Sequence, residues 1–197
     1  MLTLPRPDIH SHDHARHASA IINISPGEQI APDRFYSVAI HPWDAHSATT
    51  ADIDALDSIA RHPQVVIIGE TGLDALRGDI DAQMRLLKHH ISLSESLHKP
   101  LLLHVVKQFQ EIIALRKLTT PSQPWIFHGF RGKPQLANEL IAHGFYISLG
   151  EKFNQESATI IPSDRLLFES DTSPLSINEI ITRINNSRLQ YKKGATT

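Results

Sequence analysis

Cysteine is absent from the chain, which excludes disulfides, thiolate-bound zinc and cysteine nucleophiles at once. Long apolar runs are absent too: nothing approaches the roughly 20 consecutive apolar residues of a membrane-spanning helix. The opening MLTLPRPDIH lacks the basic-then-apolar layout of a secretory signal, so the expectation is a cytoplasmic protein without a membrane partner. Neither sign of charge dominates. Nineteen basic against 21 acidic residues leave a net charge of -2, not the basic excess of a protein that holds duplex nucleic acid by charge alone. Aromatic residues make up only 6%, but 41% hydrophobic residues over 197 positions suffice for one sizeable core. No internal repeat, low-complexity block or Gly/Ser linker divides the chain. Residues 1–197 therefore read as one domain, with 192–197 the nearest thing to a tail. What the chain has in quantity is histidine, 13 residues.

Short apolar runs bounded by turn residues recur through the whole length. They predict strands at 8–12, 20–25, 35–41, 65–70, 101–106, 125–128, 145–149 and 166–171. Between them, 80–97 has the clearest helical period, with Ile80, Met84, Leu87, Ile91 and Ser94 on one face. Residues 51–61, 108–118, 134–143 and 175–190 read as further helices. Continuous apolar strands alternating with helices imply a parallel sheet covered by helices. Eight such units fit a compact TIM-type (β/α)8 barrel better than a doubly wound sheet, at a length close to the roughly 200-residue lower limit of that fold. Only Asp13 to Ser19 separates the first two strands, and Pro26, Gly27 and Pro32 oppose a helix in the next connection. The first two crossover helices are expected to be reduced or missing.

Ionisable residues interrupt five of the apolar runs at their C-terminal ends: His10 and His12, Glu70, His104, His128, and Asp171. That is the end at which barrel enzymes carry their sites. His10 and His12 lie two apart, on one strand face, and can chelate one ion. The same parity would put Ile68 with Glu70, Leu102 with His104, Ile126 with His128, and Leu167 and Glu169 with Asp171 on inward faces. One strand-end histidine is more often a satisfied half-buried side chain than a ligand. Four histidines and two carboxylates sharing one space are another matter, because uncompensated buried charge costs several kcal/mol per group. Imidazole with carboxylate suits zinc, manganese or iron, and six donors exceed a closed zinc site. Two ions sharing Glu70 are expected, one open octahedral ion being the alternative. His46, His62, His89, His90, His98 and His143 read as solvated, and His14 and His17 as peripheral.

The segments carrying these residues resemble, in order, the motifs of the TatD-like metal-dependent hydrolases of the amidohydrolase superfamily. DIHSH looks like the family's Asp-x-His-x-His, AIHPWDA like its His-Pro segment, and IGETGLD like its Ile-Gly-Glu-x-Gly-Leu-Asp signature. Gln83 followed by HKPLLLH, then FHGFRG, GFYISLG and LLFESD, are similar to its later segments, so the likeness runs from Asp8 to Pro174. The resemblance implies a barrel with two divalent ions (zinc, manganese or magnesium). His10, His12, Glu70 and Asp171 would hold one, and Glu70, His104 and His128 the other. It also implies metal-dependent hydrolysis, which in several members is deoxyribonuclease activity. Two departures stand out. Val105-Val106-Lys107 occupies the stretch where the family usually has an arginine, and Thr172-Ser173-Pro174-Leu175 replaces a longer loop rich in Asn and Arg.

Two divalent ions offset by two carboxylates and a bridging hydroxide leave about +1, a charge that draws an anionic or carbonyl oxygen. The expected enzyme is a phosphodiesterase or deoxyribonuclease using a metal-bound hydroxide, with Asp171 and Glu70 as its catalytic groups and Asp171 taking the proton. Phosphoesters, DNA ends among them, are the expected partners. An amide or lactone hydrolase on the same site, and a non-catalytic metal-binding barrel, are the alternatives. His41 could hydrogen-bond substrate or be a core histidine locked by Pro42. Lys107, Arg131 and Lys133 could bind phosphate, and Trp43 could stack on a base or pack over the barrel mouth. Asp8 is expected deep in the barrel against a ligand histidine's second nitrogen, Glu169 in a supporting role one layer below Asp171, and Asp74 in a structural one.

Overall fold

The computed structural model describes residues 2–194. Eight parallel strands close into a barrel in sequence order: β1 (Asp8–Ser11), β2 (Ala20–Ile24), β3 (Phe35–Val38), β4 (Val65–Asp74), β5 (Leu101–Val106), β6 (Trp125–Phe127), β7 (Tyr146–Leu149) and β8 (Leu166–Phe168). Among the described residues six helices surround it: α1 (Thr50–Ile59), α2 (Ile80–Leu97), α3 (Phe109–Thr119), α4 (Pro134–Ala142), α5 (Gln155–Ile160) and α6 (Ile177–Gly194). As expected, the first two crossovers are minimal. A 3₁₀ turn at His14–Arg16 joins β1 to β2, and no helix joins β2 to β3. Residues 195–197 of the expected tail lie outside the described residues, while 192–194 belong to α6.

Local chemistry sets the helix starts. Thr49 and Asp52 form a reciprocal capping box on α1, and Asp79 caps α2 by accepting from Asp81 and Ala82 N–H. Asn154 likewise caps α5, a six-residue helix missed in the sequence because it is too short to show a period. The buried face of α2 includes Leu87, Ile91 and Ser94 of the expected stripe and is wider than it: Gln83, Leu86, His90 and Leu93 are buried as well, whereas Ile80 is exposed.

The barrel interior is built in layers. One apolar residue from each strand fills the lower layer: Ile9, Ile21, Phe35, Ile67, Leu102, Ile126, Tyr146 and Leu167, with Leu2 and Leu4 packed against them. The outward set, including Ile22, Val38, Ile68, Leu103, Phe127 and Ile147, packs in the separate, larger core beneath the helices. Two residues further along β2, β3, β5, β6, β7 and β8, the alternation of side chains delivers Asn23, Ser37, His104, His128, Ser148 and Glu169 to the layer above.

In β1 and β4 the alternation is broken by register irregularities. Ile68 is therefore an outward core residue, a correction to the parity expected from the sequence, and the inward pair is Ile67 and Glu70. Glycine permits the irregularity. At Gly69 (φ +146°) a Cβ would stand 2.5 Å from Leu102 Cβ, and at Gly72 (φ +150°) 2.0 Å from the His104 carbonyl oxygen. Both glycines of IGETGLD thus allow β4 to press against β5.

Candidate metal centre

Glu70 stands at the centre of the polar layer, 4% exposed. Asn23 Oδ1 fixes its backbone by accepting from the Glu70 N–H at 3.1 Å and is itself held by the Ser37 hydroxyl at 2.9 Å. Sequence reasoning passed over Asn23, although its parity with Ile21 in AIINI was the available signal.

The two carboxylate oxygens face different partners. Glu70 Oε2 lies 3.2 Å from His10 Nε2 and 3.4 Å from His12 Nε2. Asp171 Oδ1 lies 3.9 and 3.8 Å from the same nitrogens. Glu70 Oε1 is 2.6 Å from His104 Nδ1, 2.7 Å from His128 Nε2 and 3.4 Å from His41 Nε2. All six residues expected as ligands are therefore gathered around one side chain, and the donors of His10, His12 and Glu70 lie within 4.8 Å of one another.

The donor set fits divalent ions. A tetrahedral ion with bonds of about 2.1 Å separates its donors by about 3.4 Å, and the spacings around Glu70 Oε2 scatter about that value. Both ring nitrogens of His10 are buried without a hydrogen-bond partner, although Nε2 faces two carboxylates. An orphaned buried nitrogen of this kind is costly unless something binds it. The Glu70 Oε1 side is closed by contacts of hydrogen-bond length, with the same imidazole and carboxylate chemistry.

Burial would raise the Glu70 carboxyl, but the charge of His128 and the contacts from His10, His104 and His12 hold it well below the usual range. Burial would lower the His128 imidazole, and the charges of Glu70 and Glu169 outweigh it and raise it well above the ordinary value. The carboxylate is thus anionic and poised for cations.

Supporting carboxylates orient the rings. Glu169 Oε1 faces His128 Nδ1 at 3.2 Å and accepts from Gly129 N–H at 2.7 Å, and Asp74 Oδ2 faces His104 Nε2 at 3.4 Å. Each turns the opposite nitrogen of its histidine toward Glu70, the role such partners play around metal-binding imidazoles. Asp8 departs from expectation. It is fully buried but accepts from the backbone N–H groups of Ser170 (2.9 Å) and His10 (3.4 Å), fastening the β1–β8 seam and no ligand ring.

His41 accepts the Trp43 N–H on Nδ1 at 3.2 Å, so the neutral ring carries its hydrogen on Nε2 and meets Glu70 as a donor. Trp43 donates its indole N–H to Asp74 at 2.8 Å and lies under the Arg77 guanidinium, 3.9 Å from the ring centroid. Lys107, Arg131, His41 and Trp43 all line a cavity of about 830 Å³ that opens over Glu70 and Asp171. Lys133 starts α4. His14 lies 3.8 Å from Glu28, and His17 turns to the His14 carbonyl. Of the histidines expected to be solvated, His90 is wholly buried on α2, and His89 is half-buried against Asp57 at 2.7 Å.

The chain is 29% identical over 147 residues to the uncharacterized metal-dependent hydrolase YabD of Bacillus subtilis, covering 70% of this chain and 58% of the relative. It is 30% identical over 152 residues to the 3'-5' ssDNA/RNA exonuclease TatD of Erwinia tasmaniensis, covering 71% and 59%. The chain therefore spans less than two thirds of the length of these relatives. In fold it is similar to the crystal structure of YJJV, a TatD homolog from Escherichia coli, with a TM-score of 0.76, 19% identity, and 93% and 88% of the two chains covered. The family described as TatD related DNase matches residues 13–188, and the chain belongs to that family.

Proposed function

We propose that the chain is a divalent-metal-dependent phosphodiesterase that acts on the ends of single-stranded nucleic acid. The observation that carries this reading is the division of Glu70, with one oxygen toward His10 and His12, which Asp171 also faces, and the other toward His104 and His128. His10, His12, Glu70 and Asp171 would hold one ion and Glu70, His104 and His128 the second. When bound, such ions supply Lewis acidity, acidifying water and polarising a phosphoryl oxygen.

The chain's own groups complete the chemistry. Asp171 is 27% exposed and reaches the cavity, so its carboxylate can orient a water and take the proton. His41 lines the same cavity, and its Nε2–H, which rests on Glu70 at 3.4 Å, can turn from that carboxylate to donate to the oxygen of the leaving group. Lys107 and Arg131 place positive charge along the cavity, where a phosphate would lie. The 3'-5' exonuclease relatives support the choice of a nucleic-acid end.

The test supplies zinc, manganese or magnesium to the purified chain with single-stranded DNA carrying a 3' label. Shortening from the 3' end is expected, with a loss of at least about 10³-fold in Glu70→Gln. No phosphodiester cleavage with any ion, or full activity in Glu70→Gln, would overturn the reading.

A further inference from the structure

Gln83 stands in a segment that resembles the family's motifs, yet it does not line the cavity over Glu70. It lies in the first turn of α2, 1% exposed, and turns its whole amide to the end of β4. Its Oε1 accepts the Asp74 N–H at 2.7 Å, and its Nε2 donates to the Asp74 carbonyl at 3.3 Å and to the Arg77 carbonyl. These partners fix the orientation of the amide, since exchanging its O and N would set donor against donor and acceptor against acceptor. Beyond Asp74 the chain runs through 75–80, exposed at every residue, so Gln83 ties an exposed loop to a buried helix face. Gly78 allows the close approach: at its φ of +77° a Cβ would stand 3.2 Å from Gln83 Nε2.

The residue so held is the one that faces His104. Asp74 Oδ1 accepts the Leu76 N–H at 2.9 Å, while Oδ2 accepts the Trp43 indole N–H at 2.8 Å and faces His104 Nε2 at 3.4 Å. Resting on the two-ion reading, we infer that Gln83 is a positioning residue for the ion beside His104 and His128. It sets Asp74, Asp74 sets the His104 ring, and the ring presents Nδ1 on the Glu70 side. The partners of the other ion lie outside this chain of bonds: His10 belongs to β1, His12 follows it, and Asp171 lies beyond β8. One helix residue therefore acts on one half of the centre. Removing the support of a metal-binding imidazole weakens a site by roughly 10- to 100-fold, and Gln83 acts one bond further out.

The experiment follows the uniformly 15N-labelled chain by NMR, first metal-free and then at free zinc concentrations set by a chelator. The two tryptophans give separate indole signals: Trp43 is bonded to Asp74, and Trp125 is fully buried without a hydrogen-bond partner among the described residues. In Gln83→Met, of similar volume, the metal-free Trp43 signal is expected to move toward its solvent-exposed position, while Trp125 stays and reports an intact barrel. The zinc concentration that shifts the His104 and His128 ring nitrogens should rise about tenfold, and that for His10 and His12 by less than about threefold. Gln83→Asn keeps the amide but is one methylene short of Asp74, so it should act in the same direction and carries the test if the methionine variant does not fold. Ser94→Ala removes another buried bond of α2, to the Lys99 carbonyl at 2.6 Å. It should lower the urea midpoint and leave both readouts unchanged, which separates positioning from lost stability. An unmoved Trp43 signal in the Gln83 variants, equal loss at both histidine pairs, or an equal effect of Ser94→Ala overturns the inference. A single zinc in the unmodified chain removes the two-ion reading, and in that case the metal-free Trp43 signal alone decides for or against Gln83.

Discussion

Glu70 faces five imidazoles, those of His10, His12, His41, His104 and His128, and neither its place in the sequence nor strand alternation alone explains how. Asn23 and Ser37, uncharged residues in apolar strands, hold the backbone that presents it. The charged and histidine donors were legible because each interrupts an apolar run at a strand end. Asn23 was not, since one amide within AIINI looks like ordinary strand variation until closure of the barrel points it inward. His90 shows the opposite error. Its Nδ1 donates to the Leu86 carbonyl at 2.8 Å, and its Nε2 accepts the Ile40 N–H at 3.2 Å, one residue before His41. Burial pushes this imidazole down to about 4. The unfolded ring, with its ordinary value of 6.5, takes up a proton below that pH and the folded ring does not. Stability contributed by the neutral ring is thus present above pH 6.5 and falls toward pH 4, by about 3 kcal/mol. Urea unfolding across this window should show a shallower pH dependence in His90→Gln than in the unmodified chain, and equal slopes would contradict the assignment.

At the level of elements, β1 and β4 depart from regular alternation, and both carry groups of the candidate centre. The glycines around Glu70 made β4 recognisable as a motif, but the three-residue step from Ile67 to Glu70 cannot be read from letters that fit a two-residue period equally well. The short first connection has a compensating role. Arg16, in the 3₁₀ turn that replaces a crossover helix, is oriented by Asp13 at 3.1 Å. It donates to the carbonyls of Ser173 (3.0 Å), Pro174 (3.1 Å) and Leu175. It thereby clamps the segment that follows Asp171, whose own backbone pairs with His10 and His12. Arg16→Ala should cost about 1.5–3 kcal/mol, as expected for charge-assisted hydrogen bonds, read as a lower urea midpoint. Arg16→Lys should recover only part, because an ammonium cannot span three carbonyls as the guanidinium fork does. An unchanged midpoint in Arg16→Ala would show that the clamp is dispensable.

Across the whole molecule, the closed barrel with two minimal crossovers follows from eight apolar runs and two connections hostile to helix, and the structure agrees with both. Closure converts eight separate strand ends into one polar layer above one apolar layer, and it explains why residues spread from His10 to Asp171 meet around a single carboxylate. Among the described residues no helix is long and apolar enough to cross a membrane. The account's central claim is that Glu70 is shared between two ions. The most direct measurement is anomalous scattering at the zinc edge from crystals grown with zinc. Two peaks are predicted, one between Glu70 Oε2, His10, His12 and Asp171 and the other beside Glu70 Oε1, His104 and His128. A single peak, or peaks remote from Glu70, would contradict it.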